Sequence, residues 1–392
     1  MKPNILVLTS RFPFPLEKGD KLRVFHQIKC LSNHFNVFLF SISEEDIHQT
    51  SLDQLKPYVS DLVVCKKSKL AIYYSLVCNV FSSEPYQVSY FYSKRAQKHL
   101  DAKVKEWKID AVFCQLIRMS KYVEGIQVWK ALDYMDAFSL GLERRLNATK
   151  GLQRFIVKQE YERVSSFEKQ LLNQFNKTYI IATKDKRCIN SESISILKNG
   201  VDTSYFHPKE NNQKSFDIVF VGNMQYYPNV LAAQVLINEI LPICNTAGFK
   251  LKILIAGANP TKDVKALASP HVTVSGWMDD IREAYWNSSL FVAPLFTGSG
   301  LQNKVLEAMS CKIPVISTSI VNDSLGAREK QEIFIGDSPQ QISEEIIKLL
   351  ENRNSESIIK TINQAKQFVE NTYGWQANTQ ILIDDIKEGV EK

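Results

Sequence analysis

The sequence predicts an α/β protein made of two doubly wound parallel sheets, one in each half of the chain. Three observations predict it. Short apolar, β-rich runs recur along the whole length, and segments of helical spacing fill the gaps between many of them. The runs lack the polar alternation of a sheet with one wet face, as expected for strands buried on both sides. At 392 residues the chain is also long for one hydrophobic core, so two domains are expected.

The first half supplies seven runs in order: NILVLTS (residues 4–10), NVFLFSI (36–42), DLVVCK (61–66), DAVFCQL (110–116), VWKALDY (128–134), KTYIIAT (177–183) and ISILKNG (194–200). A long helix is expected within residues 151–176. Asp20 is read as the N-cap of an earlier helix carrying Leu22, Phe25 and Ile28. The polar stretch NGVDTSYFHPKENNQKS (199–215), with its Asn-Gly turn pair, separates the two series. The second half follows with FDIVFVG (216–222), KLKILIAG (250–257), VTVSGW (272–277), LFVAPLF (290–296), IPVIST (313–318) and EIFIG (332–336). Helical patterns such as PNVLAAQVLINEILPIC and DDIREAYWN lie between them. Domains are therefore expected at residues 1–205 and 206–370. A last helix, 371–392, breaks away at Gly374-Trp375 and would pack back on the first domain.

Composition excludes several classes. Apolar residues make up 44% and charged residues 23%, ordinary for a globular chain. The longest membrane-like run, LAIYYSLVCNVF (70–81), is far short of the roughly 20 residues needed to span a bilayer. Thr9, Ser10 and Arg11 cut the N-terminal apolar run short, so it reads as a strand and not as a signal peptide. Seven dispersed cysteines without CxxC suggest reduced thiols and a cytoplasmic protein, and six scattered histidines without HExxH give no metal site. No GxGxxG follows the first strand, which disfavours a dinucleotide oxidoreductase.

Charge is unevenly placed. Residues 1–197 hold 30 Lys and Arg against 20 Asp and Glu, whereas residues 198–392 hold 18 against 22. The basic first half, with CKKSKLAIYYSLVCNVF followed by Lys94, Arg95 and Lys98, suggests peripheral contact with an anionic membrane on its inner face. Helices packed on the domain's own core are the plain alternative. Nucleic-acid binding has only the modest basic bias behind it.

Chemistry concentrates in FVAPLFTGSGLQNKVLEAM (291–309). Doubly wound sheets bind ligands beyond the carboxyl ends of their strands. A glycine loop there, followed by a helix with unpaired N–H groups, makes an anion seat. On a helical wheel of residues 301–311, Leu301, Val305, Ala308 and Met309 form the core stripe, with Lys304 and Glu307 at one edge of it. Lys304 is placed to meet a phosphate and Glu307 to accept from a sugar hydroxyl pair. The plain alternative is a surface ion pair worth a few tenths of a kcal/mol.

At this point the sequence resembles a known family. The ordered set FVGNMQYYPN, LKILIAGANP, VTVSGWMDDIREAYWNSSLFVAPLFTGSGLQNKVLEAMSCKIPVIST resembles the donor domain of glycosyltransferase family 4. LKNGVDTSYFHP and the opening RFPFPLEKGDKLRVFHQIKCLS are similar to other parts of the same family, and the nearest subgroup is the bacterial sugar transferases of exopolysaccharide and capsule clusters. The resemblance implies the GT-B fold, two Rossmann-like domains facing across a cleft. It implies transfer of a sugar from a nucleotide-diphosphate sugar to a glycan or lipid-linked acceptor, retaining and metal-independent.

Site roles follow from the resemblance residue by residue. Glu307 matches the second glutamate of Glu-x7-Glu, which holds the donor ribose. Gly298, Ser299, Gly300 and Leu301 fall on the diphosphate and sugar loop. Gly276, Trp277 and Met278 fall on the turn that reads the nucleobase, and Gly222 and Asn223 on the loop after the first donor-domain strand. Gly19 matches the glycine facing the transferring sugar. The first glutamate is replaced by Ser299, and the usual Arg and Lys by Asn223 and Asn229, so Lys304 is left to meet the diphosphate. In the first half, Asp136 is expected as a base or sugar contact, or as the N-cap of a helix starting near Phe138. Arg118 and Arg23 are expected on the acceptor side. No cofactor or metal is expected, since Asp133 and Asp136 are spaced DxxD and not DxD. Two rivals stand beside this reading: a sugar-nucleotide epimerase of the same fold, and a non-catalytic nucleotide-binding subunit.

Overall fold

The structure, a computed structural model, describes residues 2–16, 18–67, 79, 82–189, 191–209, 213–297 and 301–391. The chain forms two compact units, Met1–Gly200 with Trp375–Lys392, and Val201–Gly374.

The first unit carries β1 (Asn4–Thr9), β2 (Asn36–Ser43), β3 (Asp61–Lys66), β4 (Ala111–Gln115), β5 (Trp129–Asp133), β6 (Lys177–Ile180) and β7 (Ile194–Ile196). All pair in parallel, in the order β3-β2-β1-β4-β5-β6-β7. Alternation along β1 explains why its sequence has no polar face. Ile5 and Val7 enter one core with Val24, Ile28, Leu382, Ile383 and Ile386, while Leu6 and Leu8 enter another with Leu100, Tyr122 and Leu132. Each such side chain contributes about 1.5–3 kcal/mol on burial. The last helix, Trp375–Glu391, covers the first of these cores. Tyr179 donates to its Asp385 at 2.6 Å, and Lys177 pairs with the same carboxylate at 2.9 Å.

The second unit carries β8 (Phe216–Val221), β9 (Ile253–Ala256), β10 (Val272–Gly276), β11 (Ser288–Ala293), β12 (Val315–Ser317) and β13 (Phe334–Ile335). Their order is β10-β9-β8-β11-β12-β13, again parallel throughout. Strand order reverses between β1 and β4 in one unit and between β8 and β11 in the other. These are the switch points at which doubly wound sheets open a crevice.

Two local expectations are corrected. The helix expected from residue 301 begins at Asn303 and runs to Ser310, because Gln302 is extended and serves as its N-cap. Its phase is nonetheless the one read from the sequence: Val305, Ala308 and Met309 are buried. Asp20 is not an N-cap. The helix Gly19–Leu31 is capped at Lys18, and Asp20 turns back to pair with Arg11 at 2.7 Å. Among the described residues, no helix is long and apolar enough to cross a membrane.

Candidate functional site

The second unit brings its chemistry to the β8/β11 switch point. Gly222 follows β8, and its N–H donates to Ala256 at the end of β9 (3.0 Å). Gly257, next along, adopts a positive φ of 130° and donates to Gly276 at the end of β10 (2.9 Å). A Cβ on Gly257 would lie 1.9 Å from the Gly222 carbonyl oxygen, so only glycine lets these two strand ends approach. A Cβ on Gly222 would in turn lie 2.7 Å from Nδ2 of Asn229. The side chain that occupies this space is thus the asparagine amide.

Asn229 is buried in the first turn of the helix Tyr227–Val235. Its Nδ2 donates to the Asn223 carbonyl at 2.9 Å, which fixes the amide's orientation, and its Oδ1 accepts from Lys304 Nζ at 2.5 Å. Asn223 makes the loop tight, with its Oδ1 accepting from Gln225 N at 3.0 Å. Lys304 itself stands at the start of Asn303–Ser310, half-buried, with Nζ 5.3 Å from the ring centre of buried Phe220. Desolvation pushes its pKa down to about 8, against the pull of Glu307. Among the described residues it has no salt-bridge partner.

Glu307, one turn on, accepts from the hydroxyl of fully buried Tyr285 at 2.7 Å. Burial raises its pKa, while Tyr285 and Lys304 lower it. Only Oε2 is engaged; Oε1 makes no hydrogen bond among the described residues. Tyr285 was not singled out from the sequence. A signal existed in DDIREAYWN, since a tyrosine on a buried stripe needs a partner for its hydroxyl.

The remaining donor-side residues divide. Gly276 takes a positive φ of 70° just after a register shift in β10, and Trp277 beyond it is 73% exposed. Met278 and Leu301 are half-buried against the unit's core. Gly298, Ser299 and Gly300 lie outside the described residues. Lys304, Glu307, Asn223 and Gly222 are therefore brought together, with Trp277 on an open neighbouring strand end.

In the first unit, Arg23 is not available to an acceptor. It is fully buried and bonded on every side: Nε to Asp133 at 2.6 Å, Nη1 to Asn199 Oδ1 at 2.8 Å and to the Lys198 carbonyl, Nη2 to the Leu197 carbonyl at 2.8 Å. This clamp ties the helix Gly19–Leu31 to the ends of β5 and β7. Arg118 follows β4, with its guanidinium about midway between the Phe91 and Phe138 rings (5.1 Å from each) and Nε on Gln87 at 3.0 Å. Burial, reinforced by Arg11, pushes its pKa down to about 10. Gly19 opens its helix with free space where a Cβ would go. Asp136 is exposed after β5, and its pKa is raised by desolvation and then by Asp185. It is not a helix cap. Glu168 Oε1 instead accepts from Phe138 N (2.7 Å) and Ser139 N (3.3 Å), satisfying that helix end from a distant residue. Among the described residues no group of three His, Cys, Asp or Glu side chains could hold a metal ion.

Residues 215–352 match the family model of the group 1 glycosyl transferases. The match spans β8 to β13 and so contains Lys304, Glu307, Asn229 and Tyr285. An uncharacterized 44.6 kDa protein in the cps region of Klebsiella pneumoniae is 21% identical, over 94% of this chain and 96% of that protein. A glycosyltransferase from Rickettsia africae superposes with a TM-score of 0.68 at 12% identity, covering 100% of this chain and 99% of that one. The Anabaena protein HepE, solved with UDP and also with UDP-glucose, superposes in the UDP complex with a TM-score of 0.64 at 10% identity, covering 99% and 100%. The two-sheet α/β fold is thus that of GT-B glycosyltransferases. Together with the matched group 1 domain it supports a glycosyltransferase.

Proposed function

We propose that the chain is a family 4 glycosyltransferase of the capsule and exopolysaccharide subgroup, moving a sugar from a nucleotide-diphosphate sugar to a glycan or lipid-linked acceptor. We further propose that it retains anomeric configuration, needs no metal, and works in the cytoplasm at the inner face of the membrane. One observation carries the reading: a half-buried ammonium, held by a neutral amide and without a salt bridge among the described residues, stands at the β8/β11 switch point beside a half-engaged carboxylate. Among the described residues Lys304 has no salt-bridge partner, the nearby Glu307 carboxylate being held by Tyr285, and a diphosphate supplies the countercharge. Glu307 Oε1 is open to accept from a ribose hydroxyl while Tyr285 holds Oε2.

In this mechanism the bond between sugar C1 and the diphosphate oxygen breaks as the acceptor hydroxyl oxygen bonds to C1. Negative charge collects on the departing diphosphate, where Lys304 and the amide groups of the glycine loop lower its energy. The acceptor proton passes to a diphosphate oxygen, so no side chain need act as base. Trp277, projecting beside the Gly276 turn, offers its ring face to the nucleobase. Gly19, Arg118 and Asp136 are proposed on the acceptor side, and Arg23 as a support for their strand ends. The UDP in HepE and the cps-region location of the Klebsiella relative favour a uridine nucleotide and a surface polysaccharide.

The test is thermal-shift screening against sugar nucleotides, then mass spectrometry of products with a lipid-pyrophosphate glycan. Glycan product that disappears in Glu307→Ala and Lys304→Met supports transfer. A new free sugar nucleotide formed without acceptor would establish the epimerase instead, and nucleotide binding without any product the non-catalytic subunit.

A further inference from the structure

The first unit carries an exposed apolar tip that the proposed chemistry does not use. The helices Phe138–Ala148 and Gly151–Leu171 form a hairpin joined by a short connection. The second helix buries Val157, Val164 and Leu171 along one stripe. At about 100° per residue, Phe155 falls on the opposite face and Ile156 on its flank. Phe155 is 64% exposed and Ile156 50%, and neither packs against the unit's cores. Leaving two adjacent large apolar side chains in water has a cost that serine or glutamine would avoid.

Around them the sequence ERRLNATKGLQRFIVK (143–158) places five cations against one carboxylate. Arg144, Arg145, Lys150, Arg154 and Lys158 are all exposed. Their local commitments are small. Arg154 Nη1 donates to the Leu146 carbonyl at 3.1 Å, which braces the hairpin, and Lys158 faces Glu162 at 3.8 Å. Close to the sheet, by contrast, Arg23 and Arg11 are paired with Asp133 and Asp20.

The geometry points to this hairpin tip as a docking surface for an anionic bilayer, with Phe155 and Ile156 entering the headgroup layer and the cations meeting lipid phosphates. Exposed aromatic and branched apolar residues within a basic surround are what such an interface requires. The charge selects a bilayer over a second copy of the chain, because two such tips would repel. The inference rests on the membrane part of the proposed function and not on glycosyl transfer. It also moves the contact away from residues 70–81, which apart from Asn79 lie outside the described residues.

The test is flotation of the full chain with vesicles of phosphatidylcholine alone and with added phosphatidylglycerol, in low and high salt. Wild type should float with the anionic vesicles only and be released by salt. Each cation removed should weaken partition about fivefold, so R144Q/R145Q/K150Q should lose roughly 100-fold. F155S/I156S should lose binding at unchanged charge, with an unaltered circular dichroism melt as the folding control. If wild type floats and both variants float equally, the tip is refuted while membrane contact stands. If wild type does not float, the membrane reading falls with it. If F155S/I156S instead converts a dimer to a monomer, a second copy is the occupant and the inference is overturned. Binding of UDP, measured in parallel, reports on the donor site independently.

Discussion

The sharpest prediction concerns the pH dependence of nucleotide binding through Lys304. In the ligand-free protein its pKa lies at about 8 because the ammonium is desolvated beside Phe220 and held by an uncharged amide. An arriving diphosphate places negative charge next to it and returns the pKa to at least the ordinary lysine value of about 10.4. Binding UDP above pH 8 must then take up a proton. Affinity should be flat from pH 6 to 7.5, fall about twofold by pH 8, and fall about tenfold by pH 9 relative to the plateau, since each pH unit beyond the free pKa costs about 1.4 kcal/mol. The sign is fixed: the depressed pKa leaves the charged form short of stabilisation, and the ligand supplies it. Isothermal titration with UDP in buffers of differing ionisation enthalpy measures both slope and proton uptake. Lys304→Met should bind weakly with no slope over the same range. A flat wild-type profile between pH 7 and 9, or an equal slope in Lys304→Met, would refute the assignment of the diphosphate to this lysine.

Three further outcomes are expected. Tyr285→Phe removes a hydrogen bond to a carboxylate worth about 1.5–3 kcal/mol, so UDP affinity should drop roughly tenfold or more. Because that bond lowers the Glu307 pKa, the acid limb of binding should also shift upward, a change that a purely structural role for Tyr285 would not produce. Arg23→Ala strands Asp133 without its cation in a dry core and should destabilise the first unit by about 3–5 kcal/mol in urea unfolding; Arg23→Met with Asp133→Leu should recover much of it. Gly257→Ala forces a Cβ onto the Gly222 carbonyl and should lower the melting temperature and weaken UDP binding together, because the displaced loop positions Asn229.

Strand identity was legible because most runs are apolar on both faces, and the inner strands β4, β9 and β12 are buried along their whole length, whereas the edge strand β10 leaves Thr273 and Ser275 exposed. Strand length was less so. The run at residues 177–183 ends at Ile180 because Thr183 already begins the next helix, Thr183–Ile189, and hydrophobicity does not register that change of geometry. Lys304 and Glu307 were legible from three-residue spacing beyond a strand end. Their partners were not, since Asn229 and Tyr285 lie 75 and 22 positions away in sequence and reach them through the sheet's switch point. Arg23 was misread for the same reason. Its place one turn into a helix suggested the rim, whereas the carboxylate that buries it lies 110 positions along the chain.

Arg23 and Lys304 together show what separates a structural cation from a receiving one in this fold. Both come from a helix that follows a central strand of a doubly wound sheet. Arg23 meets a full carboxylate, two carbonyls and an amide oxygen, so its charge is satisfied with no ligand present. Lys304 meets one amide oxygen, and the carboxylate within its reach is already held by Tyr285. The difference is set by neighbours and not by the cations themselves. An aspartate at position 229 would complete the neutralisation, drawing the Lys304 pKa back up and closing the site to a diphosphate. Asparagine there gives the hydrogen bond that aims the ammonium while withholding the charge that would quench it. Asn229→Asp should accordingly raise the Lys304 pKa and abolish UDP binding, with Asn229→Ala, which loses the same hydrogen bond to the Asn223 carbonyl without adding charge, as the control for loop geometry. If it bound UDP as wild type does, the open charge at the switch point would have no part in holding the nucleotide.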